Sequence, residues 1–257
     1  MKLKHLIIIL LLLPVFTVAQ TTREVQTQNH TWMSLNTQLR LTEKMGISAD
    51  VHVRRTNFIS NNNFFLFRAG ALYYLNKQLT IGAAYGHMWL ANQNGATELF
   101  SNENRLHQQI TLNQKIRSVQ LNQRLRIEER WIQKVVNFVP ADKQRYVTRF
   151  RYQLSMNIPV SANKKVPMLS LADELMMQTG KDIIYNNFDQ NRLFAGIRQQ
   201  VSQSLSFDFG YMHVWQQLLS GYKYSRNHTI RLFFYWQPDL RKTKKTQAPA
   251  PELHSDT

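Results

Sequence analysis

Arginines and carboxylates recur at every second position in several parts of this sequence. In the segment 124–130, an arginine or a glutamate stands at each even position. Successive side chains of a β-strand point to opposite faces, so such a series would lie on one face of a strand. Guanidinium groups gathered on one face can pair with carboxylates or attract anions. The candidate site residues that share this pattern are Arg124, Arg126, Glu128, Arg149, Arg151, Glu174, Arg192, Arg198, Asp208 and Arg231.

Two interpretations of these side chains are open if the strands close into a barrel with this face inward. A basic lumen would attract anions, because rings of arginine in a pore select negative solutes, and small anionic solutes would then be partners. Alternatively, the arginines pair with Glu103, Glu128, Glu174 and Asp208 and fill the interior with salt bridges and hydrogen bonds. We favour the second interpretation, because a narrow barrel tends to fill its interior with side chains.

The sequence shows no constellation typical of an enzyme. A hydrolase would need a nucleophile, a nearby base and a third group that orients the base. His107 shares the polar phase of its segment, but no Gly-x-Ser-x-Gly motif accompanies it. Asp173 and Glu174 are adjacent and would point to opposite faces of a strand, so they cannot act as a pair. We expect no enzymatic activity, cofactor or metal site, with an outer-membrane hydrolase as the alternative.

The elements that would position these residues are long β-strands. Apolar and polar residues alternate from Met33 to Leu41 and from Ile47 to Arg54, and the same period continues downstream. Most segments reach the roughly 9–11 residues that a tilted transmembrane strand needs. After residue 19, no apolar stretch is long enough for a transmembrane helix. The pattern predicts an all-β, antiparallel up-and-down transmembrane barrel. Eleven segments are visible: 33–41, 47–54, 63–75, 78–90, 103–115, 118–131, 145–158, 166–178, 188–200, 203–216 and 225–237.

The connections between these segments predict the number of strands. Tight links such as 42–46 and 76–77 alternate with longer ones such as 91–102 and 132–144, as expected for short periplasmic turns and long external loops. With this alternation the first visible segment would run towards the periplasm and would need a partner before it. Since bacterial single-chain barrels have even strand numbers, we predict twelve strands, with 21–29 as the additional one, and ten as the alternative.

Lysine, arginine and aromatic residues indicate which face meets lipid. Lysines such as Lys44 and Lys77 fall in turns or at strand ends, whereas arginines such as Arg126 fill strand interiors. Arginine suits a polar lumen because its planar fork pairs with several acceptors at once. A soluble lipocalin-like barrel, with apolar residues inside, is the alternative. Aromatic residues near strand ends favour interfacial girdles: Trp89, Trp131, Tyr146, Tyr211, Trp215 and Trp236.

The two ends of the chain predict export and a tail. Residues 1–19 combine Lys2 and Lys4 with an apolar run and a small-residue exit, which is typical of a signal peptide. Residues 20–239 would form the barrel domain, and the basic, proline-containing residues 240–257 a disordered periplasmic tail. The formal net charge of +16 could suit nucleic acid. Export to the outer membrane removes that partner, so we expect contact with outer-membrane lipid instead.

Six short motifs follow one another along the chain: Trp32, Arg124-Leu125-Arg126-Ile127-Glu128-Glu129-Arg130, Arg149-Phe150-Arg151-Tyr152, Asp173-Glu174, Asp189-Gln190-Asn191-Arg192 and Gly210-Tyr211-Met212. In this order they resemble domain-of-unknown-function family 2490, whose members are regarded as outer-membrane β-barrels and are common in Bacteroidota. The resemblance implies such a barrel and supplies no activity. We therefore expect a structural or small-pore outer-membrane protein, with a membrane-embedded lipid-modifying enzyme or a soluble periplasmic ligand-binding barrel as alternatives.

Overall fold

The computed structural model describes residues 23–94, 97–163 and 165–241, and the regular structure within them is β-strand. The predicted all-β fold is confirmed. No helix long and apolar enough to cross a membrane is found in these ranges. The predicted signal peptide, 1–19, and residues 242–257 of the predicted tail lie outside the described residues. The strands are β1 (Glu24–Arg40), β2 (Met45–Thr56), β3 (Asn61–Tyr74), β4 (Leu79–Asn94), β5 (Thr97–Ile116), β6 (Val119–Val136), β7 (Val139–Ile158), β8 (Met168–Thr179), β9 (Phe188–Gln200), β10 (Leu205–Gln217) and β11 (Lys223–Trp236).

The strands close into one barrel in which each strand pairs with its neighbours in sequence. These pairs are antiparallel, except that the closing pair β1–β11 is parallel and begins at Glu24↔Lys223. The up-and-down barrel is confirmed, but the predicted number of twelve strands, or ten, is wrong. The polar residues 24–29 continue directly into 30–40 as a single strand. Because the closing pair is parallel, an odd number of strands can complete the barrel.

The strands are strongly tilted relative to the barrel axis. A path of paired residues that starts at Ser101 in β5 and runs through β4, β3, β2, β1 and on from β11 to β6 returns to β5 at Lys115, fourteen residues further along. With strands about 4.8 Å apart, this shear corresponds to a tilt of about 40°, so each residue advances about 2.5 Å along the axis. We call the end with the β1–β2 turn the lower end and the end with the β2–β3 turn the upper end.

The β6–β7 turn is much shorter than the sequence pattern predicts. The link predicted at 132–144 consists mostly of strand, since β6 reaches Val136 and β7 starts at Val139. The two residues between them, Asn137 and Phe138, have positive φ angles of 51° and 65°, as in the type I′ turns that join twisted strands. The extended parts of both strands contain lysine, aspartate and proline. Alternation of apolar and polar residues therefore does not mark them.

A loop from β8 to β9, residues 180–187, covers part of the interior at the upper end. Its Ile183 is buried together with Ile132 of β6 and Val147 of β7. The backbone carbonyl of Asn186 accepts a hydrogen bond from the buried Gln178 side chain at 3.0 Å. This connection is therefore packed against the barrel wall.

The two faces of the barrel wall have opposite polarity. On β6, Leu125 is 58% exposed and points outward, whereas the flanking Arg126 is 6% exposed and points inward. This arrangement is the reverse of that in water-soluble proteins, which bury aliphatic residues and expose arginine. Each strand places at least one large, exposed apolar side chain on the outer face, for example Leu35, Val51, Phe67, Tyr85, Ile110, Leu125, Phe150, Leu175, Leu193, Phe209 and Ile230.

Aromatic side chains on the outer face lie towards both ends of the barrel. Near the upper end, the rings of Trp131 and Tyr146 are 5.6 Å apart and those of Trp215 and Tyr224 are 5.2 Å apart. At the lower end, Trp236 closes β11 and is 44% exposed. The outer surface thus carries an apolar band with aromatic residues at its borders.

Candidate functional site

The ten predicted site residues all point into the barrel interior, where the structure brings them into two clusters. The alternation of strand side chains places them there, as the burial pattern of each strand shows. The Glu128 cluster, on β6 to β9, contains Arg124, Arg126, Glu128, Arg149, Arg151, Glu174 and Arg192. The Asp208 cluster, on β9 to β11, contains Arg198, Asp208 and Arg231.

Glu128 lies at the centre of the larger cluster and has 0% of its surface exposed. Its Oε2 accepts a hydrogen bond from Arg149 Nε at 2.9 Å and another from Nη2 of the same guanidinium. Its Oε1 accepts bonds from Arg151 Nη1 at 2.6 Å and Arg126 Nη1 at 3.4 Å. The register explains these contacts, because Glu128 faces Arg149 directly across β6 and β7. Charge-assisted hydrogen bonds between arginine and carboxylate are among the strongest polar contacts in proteins.

Glu174 on β8 binds three arginines and shares one of them with Glu128. Arg151 donates to its Oε1 from Nε at 3.0 Å and from Nη2 at 2.6 Å. Arg124 Nη2 donates to the same oxygen at 2.8 Å, and Arg192 Nη1 donates to Oε2 at 3.4 Å. Because Arg151 also binds Glu128, the hydrogen-bond network is continuous from β6 to β9. This network of arginines and carboxylates lines the inner wall along these four strands.

Asp208 anchors the second cluster nearer the lower end. Arg198 donates to it from Nε at 2.6 Å and from Nη2 at 3.0 Å, and Arg231 Nη2 donates at 3.0 Å. The hydroxyl of Tyr235 donates to the same carboxylate at 3.1 Å. Asp208 is 2% exposed, so these four hydrogen bonds replace the water that burial removes.

Two facing glycines beside this cluster leave room for the ring of Phe194 to lie against the inner wall. Gly196 and Gly210 lie opposite each other across β9 and β10. A Cβ added at Gly196 would lie 2.3 Å from the carbonyl oxygen of Phe209 and 2.8 Å from the Phe194 ring. The Phe194 ring in turn carries the guanidinium of Arg231, whose Cζ is 4.2 Å from the ring centroid.

The interior contains further ion pairs beyond the ten candidate site residues, and for one of their members, Glu103, pairing with arginine was predicted from the sequence. Asp50 Oδ2 accepts a hydrogen bond from Arg68 Nε at 2.6 Å. Glu103, with 0% exposure, accepts bonds from Arg105 Nε and Arg130 Nε, both at 2.6 Å. Most of these residues stand on the inward phase of β2, β3, β5 and β6. Strand alternation carried through β2, β3 and β5 could therefore have found Asp50, Arg68 and Arg105 as well.

Asp189 is a different case, since alternation does not predict its direction. The β8–β9 register shifts between Met176 and Met177, and both Asp189 and its neighbour Gln190 are buried. This bulge lets Asp189 Oδ2 accept a hydrogen bond from Arg149 Nη1 at 3.0 Å. Bulges re-aim side chains locally, and no residue pattern in this segment signals one.

Positive charge exceeds negative charge in the interior. A cavity of about 890 Å³ extends from Asn63 and Gln216 near the upper end to Lys115 and Gln237 near the lower end. Eleven arginines line it: Arg54, Arg68, Arg105, Arg124, Arg126, Arg130, Arg149, Arg151, Arg192, Arg198 and Arg231. Within the described ranges their carboxylate partners are six, namely Asp50, Glu103, Glu128, Glu174, Asp189 and Asp208. The arginines on the inner wall therefore outnumber the carboxylates that pair with them by five.

This arrangement suits the attraction of anions. Guanidinium groups in excess on the inner wall create a positive potential along the cavity. In the described part of the chain, no histidine is hydrogen-bonded to a serine or threonine, and no three His, Asp or Glu residues are grouped to hold a metal ion. The chemistry that the guanidinium groups offer is electrostatic recognition of anions.

Comparisons with known proteins add the family. No curated protein and no solved structure gives a significant match to this chain. The sequence model of one family, described as protein of unknown function (DUF2490), matches residues 29–226. That match covers every strand of the barrel at least in part, including all six motifs noted in the sequence. The chain therefore belongs to the DUF2490 family.

Proposed function

We propose that this protein is an integral β-barrel protein of a Gram-negative outer membrane. The observation that carries the proposal is the reversed polarity of the wall, with large apolar side chains outside and arginines inside. Each strand carries at least one large exposed apolar side chain on the outer face, and Leu125, Phe150 and Leu193 are each about half exposed. Soluble monomers rarely expose a large contiguous apolar surface. A closed barrel also leaves no backbone edge without hydrogen bonds, which is the condition for strands in hydrocarbon.

The dimensions of the barrel support the same proposal. The strands contain 12 to 20 residues, which at about 2.5 Å per residue corresponds to roughly 30–50 Å along the axis. An apolar band of about 25 Å bordered by aromatic girdles is typical of outer-membrane barrels. The outward Trp131 and Tyr146 near the upper end, and Trp236 at the lower end, fit the two borders of such a band.

The soluble ligand-binding barrel is less well supported. Such a barrel would place its apolar side chains inside and its charged side chains in water. Here eleven arginines of the described residues line the cavity, and the clusters of buried apolar residues that point inward are small. The predicted signal peptide, 1–19, agrees with export to the outer membrane.

Membrane fractionation tests this proposal. The full chain is expressed in a Gram-negative host, and the membranes are separated by density and washed with carbonate. We expect the protein in the outer-membrane fraction after the wash, with a mobility on gels that changes on heating. Release by carbonate, or a folded protein that stays soluble without detergent, would contradict the proposal.

A small anion-conducting pore is a second candidate for the role of this barrel. The observation that favours it is the cavity that extends between both ends of the interior and is lined by eleven arginines. Planar-bilayer recording under a potassium chloride gradient tests it. A pore would give discrete conductance with a reversal potential set by chloride. A correctly folded protein that gives no conductance would contradict the pore and leave a structural role for the barrel.

A further inference from the structure

A buried interior arginine, Arg54, has no hydrogen-bond acceptor within the described part of the chain. Arg54 on β2 is 8% exposed and lines the interior cavity. Its Nε is buried without a hydrogen-bond partner, and its guanidinium forms no ion pair within the described part of the chain. The other interior arginines of the Glu128 and Asp208 clusters each contact a carboxylate. Arg54 therefore differs from them in having its N–H groups available to a ligand.

Aromatic rings hold Arg54 in position without saturating its donors. Its Cζ lies 3.4 Å from the ring centroid of Trp32 and 4.4 Å from that of Phe64. Arg192 Cζ lies 4.9 Å from the same Trp32 ring, so the two guanidinium groups are no more than about 8 Å apart. Contacts between cations and ring faces orient a guanidinium but use none of its N–H groups. Two positive groups thus flank one aromatic ring.

Further unpartnered polar atoms line the same part of the cavity. The indole Nε1 of Trp32 and the Nδ1 atoms of His30 and His52 are buried without hydrogen-bond partners. Trp32 lies directly opposite Arg54 in the β1–β2 register, and His30 is two residues away on the same face of β1. Indole N–H can only donate. A ligand that satisfies this group and Arg54 together must supply acceptor oxygens.

We infer that this part of the interior, formed by His30, Trp32, His52, Arg54 and Phe64 and here called the Arg54 site, binds a small oxyanion with a carboxylate or phosphate group. The planar guanidinium fork matches both groups in a bidentate manner. The site opens into the interior cavity of about 890 Å³, which has room for a small molecule. The inference deepens the proposed function by naming a ligand chemistry for the lumen.

The excess of arginine makes an anion in this place electrostatically favourable. The arginines that line the cavity outnumber their carboxylate partners by five. An uncompensated charge in a medium of low dielectric constant is strongly destabilised. A bound anion restores neutrality locally without changing the wall. Apolar side chains near Trp32, among them Phe194 and Val214, offer contact to a non-polar body on the anion.

Calorimetric titration of the detergent-solubilised full chain tests this inference. The probes are inorganic phosphate and benzoate, each compared with sodium chloride at equal ionic strength. We expect saturable binding that chloride does not reproduce, and the tighter of the two probes identifies the head group. Arg54→Gln should weaken binding about tenfold or more, because a charge-assisted bidentate contact is lost, whereas Arg54→Lys should retain part of it.

Arg226→Gln provides a control with the same change of charge. Arg226 is exposed on the outer face, where its guanidinium contacts the Thr27 hydroxyl at 3.3 Å, and its loss should leave binding unchanged. Heat-modifiable gel mobility verifies that each variant is folded. Should Arg54→Gln fail to fold, Trp32→Phe keeps a ring against Arg54 but removes the indole donor, and it should bind severalfold more weakly.

Two results would overturn the inference. One is a folded wild-type barrel that shows no saturable binding of either probe. The other is undiminished binding by the folded Arg54→Gln variant, or by Trp32→Phe if only that variant folds. Either result refutes the Arg54 site and leaves membrane insertion standing, because the titration needs only a folded barrel. Conversely, a soluble barrel that binds phosphate would refute the membrane location alone.

Discussion

Replacing Leu125 by arginine should strongly destabilise the membrane-inserted barrel. Leu125 is 58% exposed on the outer face of β6 and lies between Ile110 of β5 and Tyr152 of β7. It is six residues from the start of β6 at Val119 and six from Trp131. At about 2.5 Å per residue along the axis, the lower end of β6 and the aromatic border at Trp131 are each about 15 Å away. Leu125 therefore lies near the middle of the apolar band.

The expected cost follows from this depth. An arginine on the lipid face costs about 2–4 kcal/mol at the bilayer midplane and about 0–1 kcal/mol near the interfaces. Phe138→Arg is the matched control, because Phe138 is 62% exposed but lies in the β6–β7 turn, beyond the aromatic border. Both variants add one charge and remove one exposed apolar side chain. The two positions differ in their depth along the barrel axis, which sets the cost of the added charge.

Urea titration of refolding into lipid vesicles measures both effects. The midpoint of Leu125→Arg should fall well below that of the wild type, and that of Phe138→Arg should stay close to it. The two midpoints must be compared in the same lipid, since bilayer thickness sets the cost. Equal stability of the two variants, or a larger loss for Phe138→Arg, would refute the assignment of the outer face to hydrocarbon.

The remaining predictions concern the interior and the lower end. Arg126→Gln should lower the free energy of unfolding by about 1–2 kcal/mol, because Glu128 keeps its other arginine partners. Glu128→Gln should lower it by about 3–5 kcal/mol, because the contacts of three buried arginines are weakened at once. The same urea titration compares the two variants. Gly196→Ala should lower the thermal midpoint, since its Cβ would lie 2.3 Å from a backbone carbonyl oxygen and overpacking of this kind costs about 1–3 kcal/mol. Beyond β11, hydrogen bonds from Arg241 lower the pKa of the exposed Asp239 to about 2. The stabilisation from this pair should be complete above the ordinary carboxyl pKa of about 3.9 and lost as the pH falls through about 2. In Arg241→Gln, the pKa of Asp239 measured by NMR titration should move upward.

Each of these predictions has an outcome that contradicts it. A smaller loss for Glu128→Gln than for Arg126→Gln would mean that the Glu128 cluster does not hold the arginines together. An unchanged midpoint for Gly196→Ala would mean that β9 and β10 are not as close as described. An Asp239 titration midpoint that does not respond to Arg241→Gln would exclude their pairing.

Strand alternation made most of the interior predictable. A residue on a strand has only two directions, so one correct phase determines the faces of all its neighbours. On β6 the apolar Leu125 and Ile127 determine that Arg124, Arg126 and Glu128 point the other way. The direction of a side chain is therefore local information that the sequence carries.

Strand alternation does not predict how the barrel closes or which residues form ion pairs, because both depend on residues far apart in the sequence. The parallel pairing of β1 with β11 joins residues about 200 positions apart, and nothing in either strand marks it. An even strand number seemed necessary only while every pair was assumed to be antiparallel. Likewise Arg124 binds Glu174, two strands away, and this contact depends on the tilt and radius of the closed barrel.

Site-directed labelling along β6 tests the central claim, the polarity of the wall, most directly. The chain contains no cysteine, so single cysteines at positions 121 to 131 can each carry a fluorophore in the refolded barrel. Brominated lipid tails should quench the odd positions, including 125 and 127, and leave the even positions, including 126 and 128, unquenched. Quenching at the even positions, or no alternation at all, would contradict this account of the protein.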